Sequence, residues 1–368
     1  MNVPFIKPQF PNPSDIADDL EKIYNNNFYS NNGPFYEKFK QEIQSYLGND
    51  LQAVITSSAT SALMIAIKGI FGERTSRKKY VAVPSFTFAA SPLAIHWCGY
   101  EPLFFDIEVD SGQPSIESFK KINRRYRNKI AGVVLVNNFG IGMSNLHAWQ
   151  QYLNSQNLLY IIDSAPGFGS IYPNGDKLGG GGLCEVFSFH ATKPFGIGEG
   201  GLITTKNKKL ATKLESLKNF GFNKDKDVVN YGINAKITEL DCAIGRRVLK
   251  MYDKTLDDRR TTYRLFERYL GESVEFLPRA DTASIQFATI IVSDNVRRKN
   301  ILHNLKKSGV EARTYYAPAV HKMSIFRNAK KGTLSNTETL SERVISLPVH
   351  HGMSKQLIEK ICKVIRES

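Results

Sequence analysis

Between residues 51 and 205 the sequence repeats one pattern, a short apolar run that is closed by a turn or a polar residue. The seven runs are QAVIT, YVAVP, EPLFFDI, AGVVLVNN, LLYIID, EVFSFH and GGLITT. Several of them are continuous β-branched or aromatic stretches, which is typical of strands buried on both faces of a parallel sheet. Helical segments lie between them at residues 60–70, 115–126 and 146–157. This alternation predicts an α/β fold with a doubly wound, mostly parallel sheet.

After about residue 208 the pattern changes to long, charged helical stretches, at LATKLESLKNF and at residues 239–270. Two candidate strands, SVEFL and SIQFATIIV, come next, and they are followed by the helical stretches VRRKNILHNLKKSG and LIEKICKVIRES. This order predicts a smaller α+β lobe beside the main sheet. We therefore expect a large domain at residues 1–245, including an N-terminal arm, and a smaller C-terminal domain at residues 246–368.

The composition is that of a globular protein, because 42% hydrophobic and 23% charged residues exclude low-complexity and disordered chains. The 49 basic and 35 acidic residues leave a net charge of +14, which favours anionic partners without choosing among them. The densest basic cluster, KKINRRYRNK, is better explained by a solvated helix face than by a nucleic-acid patch.

The proline-rich start and the lack of a long apolar run predict neither a signal peptide nor a membrane span. Four scattered cysteines predict no metal site and no disulfide framework, and they favour a reducing cytoplasm.

Ligands of an open parallel sheet bind beyond the carboxyl ends of its strands, so the residues after each run are the candidate site residues. After QAVIT, the free backbone N–H groups and hydroxyls of Ser58, Ala59 and Thr60 would suit a phosphate, although such clusters usually serve only as helix caps. After YVAVP, the segment SFTF could set an aromatic face over a planar ligand. The alternative is that Phe86 or Phe88 only fills the core.

Two other strand ends carry more reactive groups. Asp163 closes LLYIID, where an unpaired charge would be costly, so either a cationic partner or a role as a helix cap is expected. Lys193 stands between EVFSFH and the glycine-rich GIGEGG. Burial there would lower the pKa of its amine and free a neutral nucleophile, whereas most lysines are solvated surface charges. A phosphate cradle, an aromatic cover, a strand-end carboxylate and a buried lysine are together what pyridoxal 5′-phosphate needs.

The motifs, in their order along nearly the whole chain, resemble those of the DegT/DnrJ/StrS family of nucleotide-sugar aminotransferases, which are fold type I pyridoxal-phosphate enzymes. The matching segments are NNGP at residues 31–34, the SSAT cradle, PSFTFAAS, DSA at residues 163–165, FSFHATK with GEGG, and SLPVH near the C-terminus. The resemblance implies that Lys193 bonds the cofactor and serves as the acid and base, while Asp163 pairs with the pyridine nitrogen. It implies further that Phe88 stacks on the cofactor ring. The residues implied to bind the cofactor phosphate are Ser58, Ala59, Thr60 and Ser188.

The resemblance also concerns a second subunit and the substrate. GINAKITE, at residues 232–239, is similar to the family's loop that reaches into the neighbouring active site. It implies a homodimer with shared sites, in which Asn234 and Lys236 meet the cofactor phosphate or the substrate. Tyr316 and His321 lie in a stretch similar to the segment that lines the sugar pocket. The chain departs from the family at two places: Pro166 replaces a common Gln or His, and SIQFA at residues 284–288 replaces an aromatic-rich strand.

The activity that the resemblance implies is a transamination in two halves. L-glutamate gives its amino group to the cofactor, which passes it to the keto carbon, C4, of a nucleotide-diphosphate-linked 4-keto-6-deoxyhexose such as a dTDP-sugar. The product would feed O-antigen, other surface polysaccharide or glycoside assembly from the cytoplasm, with no nucleic acid or membrane as a partner. Alternatives on the same scaffold are an aminotransferase for a C3 ketone and a sugar dehydratase. A further alternative is a non-catalytic regulatory or nucleic-acid-binding protein. Certain relatives that act as dehydratases carry His at the position of Lys193, so the lysine argues against a dehydratase. It also argues against a non-catalytic protein, which would not need it.

Overall fold

A computed structural model describes residues 2–277 and 281–368. Its α-helices are α1 (Pro13–Asn26), α2 (Pro34–Leu47), α3 (Ala59–Phe71), α4 (Ala90–Trp97), α5 (Ile116–Tyr126), α6 (Leu146–Ser155), α7 (Lys208–Lys218), α8 (Glu239–Leu270), α9 (Asn295–Lys307), α10 (Ser335–Arg343) and α11 (Lys355–Arg366). Its strands are β1 (Gln52–Thr56), β2 (Tyr80–Pro84), β3 (Glu101–Phe105), β4 (Ile130–Val136), β5 (Leu159–Asp163), β6 (Glu185–Ser188), β7 (Gly201–Thr205), β8 (Glu275–Leu277), β9 (Phe287–Ile291), β10 (Lys330–Lys331) and β11 (Val344–Pro348). The seven strands predicted between residues 51 and 205 are therefore all present.

The eight-stranded sheet has the order β1-β7-β6-β5-β4-β2-β3-β10. Strand β7 runs antiparallel to its neighbours β1 and β6, whereas the other neighbouring pairs are parallel. Helices cover both faces, and for this reason all five residues of β2 and of β7 are buried. The predicted doubly wound, mostly parallel sheet is thus confirmed, and the carboxyl ends of β4, β5 and β6 meet at one edge.

The second sheet is antiparallel, with the order β11-β9-β8. It carries α9 and α11 in a separate apolar core, which includes Ile290, Ile301, Ile345 and Ile361. Helix α8 spans both cores, because its residues up to Leu256 pack with the large sheet and its last turns pack with the small one. The predicted domain boundary at residue 245 lies inside this helix. The division into two domains at that residue stays a prediction.

Short polar side chains fix the beginnings of many helices. Ser115, Asn207, Thr238, Asp294 and Ser354 each accept a hydrogen bond from a backbone N–H of the first turn that follows. Helices α1 and α2 instead begin at proline, whose missing N–H costs nothing there. Within the described ranges, no helix is long and apolar enough to cross a lipid bilayer.

Candidate active site

A cavity of about 370 Å³ opens at the carboxyl ends of β4, β5 and β6. We call it the strand-end cavity. Eight of the residues predicted from the sequence line it: Ser58, Ala59, Thr60, Phe88, Asp163, Ser188, Lys193 and Tyr316. They come from five separate stretches of the chain, and the sheet topology brings four of these, all but that of Tyr316, to one edge of the sheet.

Lys193 lies in the tight loop that follows β6. Its backbone N–H donates to the carbonyl of His190 at 2.9 Å, and the Ala191 N–H donates to the carbonyl of Gly198 at 2.8 Å. These bonds fold the glycine-rich stretch back and point the lysine into the cavity, where Nζ donates to Oε1 of Gln286 at 3.2 Å. Burial lowers the pKa of Lys193 to about 8, and the charge of Asp163 opposes that shift. A neutral amine, which can act as a nucleophile, is therefore available near neutral pH.

Asp163 is the last residue of β5, and only 5% of it is exposed. Its Oδ2 accepts a hydrogen bond from Oγ of Ser91 at 2.5 Å, and its Oδ1 accepts one from the N–H of Ala165 at 3.0 Å. Burial raises the pKa of this carboxyl, while the two hydrogen bonds and the charge of Lys193 lower it. Of the two expected roles, the charge of Lys193 acts on the Asp163 carboxyl although its Nζ bonds Gln286, and Asp163 caps a turn rather than a helix.

The residue after Asp163 is held by a buried acid, Glu185. Ser164 donates from Oγ to Oε2 of Glu185 at 2.9 Å, and Tyr172 donates from its hydroxyl to Oε1 at 2.8 Å. The Asn137 amide nitrogen donates to both of those hydroxyl oxygens, at 2.8 and 3.1 Å. A satisfied network of this kind fixes the end of β5 and therefore the position of the Asp163 carboxylate.

The SSAT segment forms both a helix cap and an open cradle. Ser58 and Ser61 make a capping box, in which each side chain accepts a hydrogen bond from the backbone N–H of the other. The capping box leaves the N–H groups of Ala59 and Thr60, the first residues of α3, without an intrahelical acceptor, as suits an anion. Gly201 permits this geometry because a Cβ there would lie 2.4 Å from the Ser58 carbonyl oxygen.

The two phenylalanines after β2 have opposite environments. Phe86 is completely buried and packs edge-on against Phe139 and Tyr316. Phe88 is 57% exposed and forms part of the cavity wall. Of the two alternatives left open by the sequence, core filling therefore applies to Phe86, and a free aromatic face is present at Phe88.

The structure does not bring three of the predicted residues to the cavity. Asn234 is exposed, and Lys236 points its Nζ to Oδ1 of Asn219 at 3.1 Å and over the ring of Phe220 at 4.6 Å. Burial lowers the pKa of the Lys236 amine. Their predicted roles concern a neighbouring subunit and stay predictions.

His321 is the third, and its predicted contact with the substrate stays a prediction. It is buried, and both of its ring nitrogens have partners in the protein, Ser85 Oγ at 2.6 Å and Glu338 Oε1 at 3.1 Å. Burial lowers the pKa of the imidazole, although the hydrogen bond to Glu338 raises it. The ring thus ties the loop after β2 to α10 instead of facing the cavity.

The two side chains that hydrogen-bond Asp163 and Lys193 were not singled out from the sequence. Ser91, which bonds Asp163, belongs to the PSFTFAAS segment, so the motif itself contained the signal. Gln286, which bonds Lys193, belongs to the SIQFA segment where the chain departs from the family, and no local pattern marks it.

The residues of the cavity fit pyridoxal phosphate. Phe88 offers an uncovered ring face, and Ala59 and Thr60 offer unused N–H groups at a helix N-terminus. Lys193, which is half-buried, offers an amine with a lowered pKa, and Asp163 offers a buried carboxylate. These are an aromatic cover, an anion site, a nucleophile and an acceptor for a pyridinium N–H, all in one cavity.

Comparison with known proteins agrees with this chemistry. The model of the DegT/DnrJ/EryC1/StrS aminotransferase family matches residues 12–366. Protein Rv3402c of Mycobacterium tuberculosis (strain ATCC 25618 / H37Rv) is 35% identical over 371 residues, which cover 100% of this chain and 90% of that protein. The dTDP-4-amino-4,6-dideoxy-D-glucose transaminase of Shigella dysenteriae is 26% identical, with 98% of this chain and 97% of the transaminase covered. A solved structure of a candidate PLP-dependent aminotransferase from Bacillus cereus ATCC 10987 has a TM-score of 0.92 at 32% identity, over 99% of this chain and 100% of that one.

The chain belongs to the DegT/DnrJ/EryC1/StrS aminotransferase family. It is a pyridoxal-phosphate-dependent aminotransferase of the class that acts on nucleotide sugars, and the fold, cofactor and enzyme class predicted from the sequence are confirmed.

Proposed function

We propose that the protein moves the amino group of L-glutamate to C4 of a nucleotide-diphosphate-linked 4-keto-6-deoxyhexose, such as a dTDP-sugar. The observation that carries the proposal is the pairing of Lys193, with its pKa lowered to about 8, and buried Asp163 in one cavity. The choice of C4 and of dTDP rests on the Shigella relative, whose name gives a dTDP-linked 4-amino sugar. The net charge of +14 suits a diphosphate, since contacts between phosphate and Arg or Lys are charge-assisted.

In this proposal Lys193 and Asp163 carry the chemistry. When bound, pyridoxal phosphate supplies the carbonyl carbon that receives the amino group and an electron-withdrawing ring. Nζ of Lys193 would hold the cofactor at that carbonyl carbon, whose oxygen leaves as water, and the freed amine would serve as the acid and base that carries a proton. Asp163 would accept a hydrogen bond from the ring nitrogen and keep that nitrogen protonated, because a nearby opposite charge favours the protonated form.

The remaining cavity residues hold the cofactor in position. Ser58, Ala59 and Thr60 bind its phosphate at the N-terminus of α3, together with Ser188 at the end of β6. The ring of Phe88 covers one face of the pyridine. Tyr316 lines the cavity beside Phe139, whose ring stacks on it at 5.6 Å, and bounds the space left for the sugar.

We further propose a homodimer with shared active sites. The segment at residues 220–233 exposes an unusual set of large apolar side chains: Phe220, Phe222, Val228, Val229, Tyr231 and Ile233. Tyr231 is 87% exposed, and such a patch normally marks an interface. If a second copy covers this patch, the adjacent Asn234 and Lys236 of each chain would lie near the strand-end cavity of the other chain.

The location proposed is the cytoplasm. Cys98, Cys184, Cys242 and Cys362 are all buried and unpaired, as expected in a reducing compartment. The amino sugar would then leave the enzyme still attached to its nucleotide, ready for a glycosyltransferase that builds O-antigen, other surface polysaccharide or a glycoside.

The proposal is tested with ¹⁵N-labelled glutamate and a panel of keto-sugar nucleotides that differ in base and in the position of the ketone. We expect one equivalent of ¹⁵N in the sugar product, with the highest kcat/KM for a 4-keto-6-deoxy substrate. Transfer only to a 3-keto sugar would overturn the choice of C4. Consumption of the sugar without uptake of nitrogen would show a dehydratase instead.

A further inference from the structure

The amide of Gln286 touches the loop of Lys193 at two points. Its Oε1 accepts a hydrogen bond from Nζ of Lys193 at 3.2 Å, and its Nε2 donates to the carbonyl of Thr192 at 3.0 Å. The amide orientation follows from its partners, since the amine can only donate when charged and the carbonyl can only accept. We propose that Gln286 is a positioning residue for Lys193, which holds the ε-amine toward the cavity whenever that amine is free. This inference rests on the proposed role of Lys193.

Gln286 is itself held firmly, although it belongs to the small lobe. It directly precedes β9, and the buried guanidinium of Arg259 on α8 donates from Nη1 to the carbonyls of Ile285, Gln286 and Val349, at 3.1, 3.4 and 2.8 Å. Ile285 has a left-handed backbone with φ of 46°. That conformation is uncommon for a β-branched residue, so the surrounding bonds must hold it. The residue after Gln286, Phe287, also lines the cavity.

The same segment is anchored to the large sheet from its other side. The Ser284 N–H donates to Oγ of Ser170 at 2.9 Å, and Ser284 Oγ donates to the carbonyl of Pro166. Both acceptors lie in the loop that follows Asp163. The amide of Gln286 is therefore fixed relative to β5 as well as to β9, which is the rigidity that a positioning residue needs.

A neutral acceptor affects the amine in a definite direction. An oxygen within hydrogen-bond distance stabilises the charged ammonium more than the neutral amine, so Gln286 partly offsets the loss of solvation on burial. Unlike a carboxylate, it still lets the amine lose its proton near neutral pH. The titratable groups that line the same cavity are Asp163, His190, Glu199, Tyr315 and Tyr316, and the cation behind the segment is Arg259.

The test compares Gln286→Leu, Gln286→Glu and the wild-type full chain. Cofactor is removed by dialysis against an amine that competes for its aldehyde, and the capture of added pyridoxal phosphate is followed by absorbance across a pH series. Capture requires neutral Nζ, so its rate rises with pH with a midpoint that reports the pKa of the amine. We expect the midpoint to rise by about one pH unit in Gln286→Glu, because a carboxylate adjoins the amine. It should fall, by less, in Gln286→Leu.

The controls separate this inference from the proposed function. Gln113 is also a buried glutamine, whose Nε2 donates to the carbonyl of Ile141, and Gln113→Leu should leave the midpoint unchanged. Midpoints that stay at the wild-type value, or that move in the same direction in both Gln286 variants, would overturn the positioning role. If Gln286→Leu fails to fold, the isosteric Gln286→Glu decides alone. Capture of cofactor by wild-type protein at a lysine other than Lys193 would refute the proposed function itself.

Discussion

The strand-end cavity and the segment at residues 220–236 differ in how complete they are within one chain. In the cavity, the carboxylate of Asp163 and the amine of Lys193 have hydrogen-bond partners supplied by the same chain. The segment, in contrast, exposes the side chains of Val228, Val229 and Tyr231 and keeps Asn234 away from the cavity. One chain is thus sufficient to build the first region, whereas in the proposed dimer a second copy covers the second.

The largest expected effect on turnover distinguishes Lys193 in the cavity from Lys236 in the segment. Lys193→Ala should lower turnover by more than about 1,000-fold, because the nucleophile and the proton-transferring group are lost together. Borohydride reduction of the yellow, cofactor-loaded wild type followed by mass spectrometry should place the cofactor on the peptide that contains Lys193.

The matched variant is Lys236→Ala, which should lower turnover yet keep the label on Lys193. A colourless wild type that gains no absorbance band with added cofactor would contradict the proposal. So would a label on Lys236 in place of Lys193.

A smaller loss is expected from Asp163→Ala. Removal of the carboxylate takes a preorganised charge from the ring nitrogen and should lower turnover by about 100- to 1,000-fold. The melting temperature and the dissociation constant of the proposed dimer should change much less.

Asp106 provides the comparison, since it is a buried strand-end carboxylate outside the cavity that caps α10 through the N–H groups of Asn336 and Thr337. Asp106→Ala should cost about 0.5–2 kcal/mol of stability while turnover of the folded fraction is retained. If Asp163→Ala loses stability and turnover in equal measure, Asp163 is a structural carboxylate.

The sheet was predictable from the sequence because burial on both faces leaves a local signature, a continuous apolar run. The same locality made Asp163 and Lys193 predictable, since Asp163 ends its own strand and Lys193 lies in the loop that follows its strand. Strand β10 was not predicted, because it is two exposed lysines paired to the sheet edge.

Contacts between distant parts of the chain explain why other features of the site were not predicted from the sequence. Gln286 meets Lys193 across 93 positions of sequence, through a left-handed residue that no local pattern predicts. The resemblance to the family predicts a substrate contact for His321, yet both of its ring nitrogens have hydrogen-bond partners in the chain, Ser85 and Glu338. A side chain's neighbours in sequence therefore did not reveal whether its polar atoms were already satisfied.

A mixing experiment tests whether the two regions complete each other across subunits. We expect the Lys193→Ala and Lys236→Ala chains each to have lowered turnover alone. If the sites are shared, a hybrid dimer has one site with both wild-type lysines and one with neither. Random reassociation should then restore about a quarter of the wild-type activity, because half of the dimers are hybrids with one good site in two. Activity no higher than the average of the two parents would show that each cavity uses only its own chain.

The smallest effect distinguishes the two neighbouring phenylalanines. Phe88→Ala should weaken cofactor binding by roughly two- to tenfold, the value of an aromatic contact of about 0.5–1.5 kcal/mol. Its effect on the unfolding free energy of the cofactor-free chain should stay within about 0.5 kcal/mol, because the ring is largely exposed. Phe86→Ala should instead cost about 3–5 kcal/mol of stability, since its ring is fully buried. Urea unfolding without cofactor and fluorescence titration with cofactor measure the two quantities separately, so that ligand stabilisation does not enter the first. An unchanged cofactor affinity in Phe88→Ala would show that Phe88 does not stack on the pyridine ring. Another residue of the cavity wall would then cover that ring.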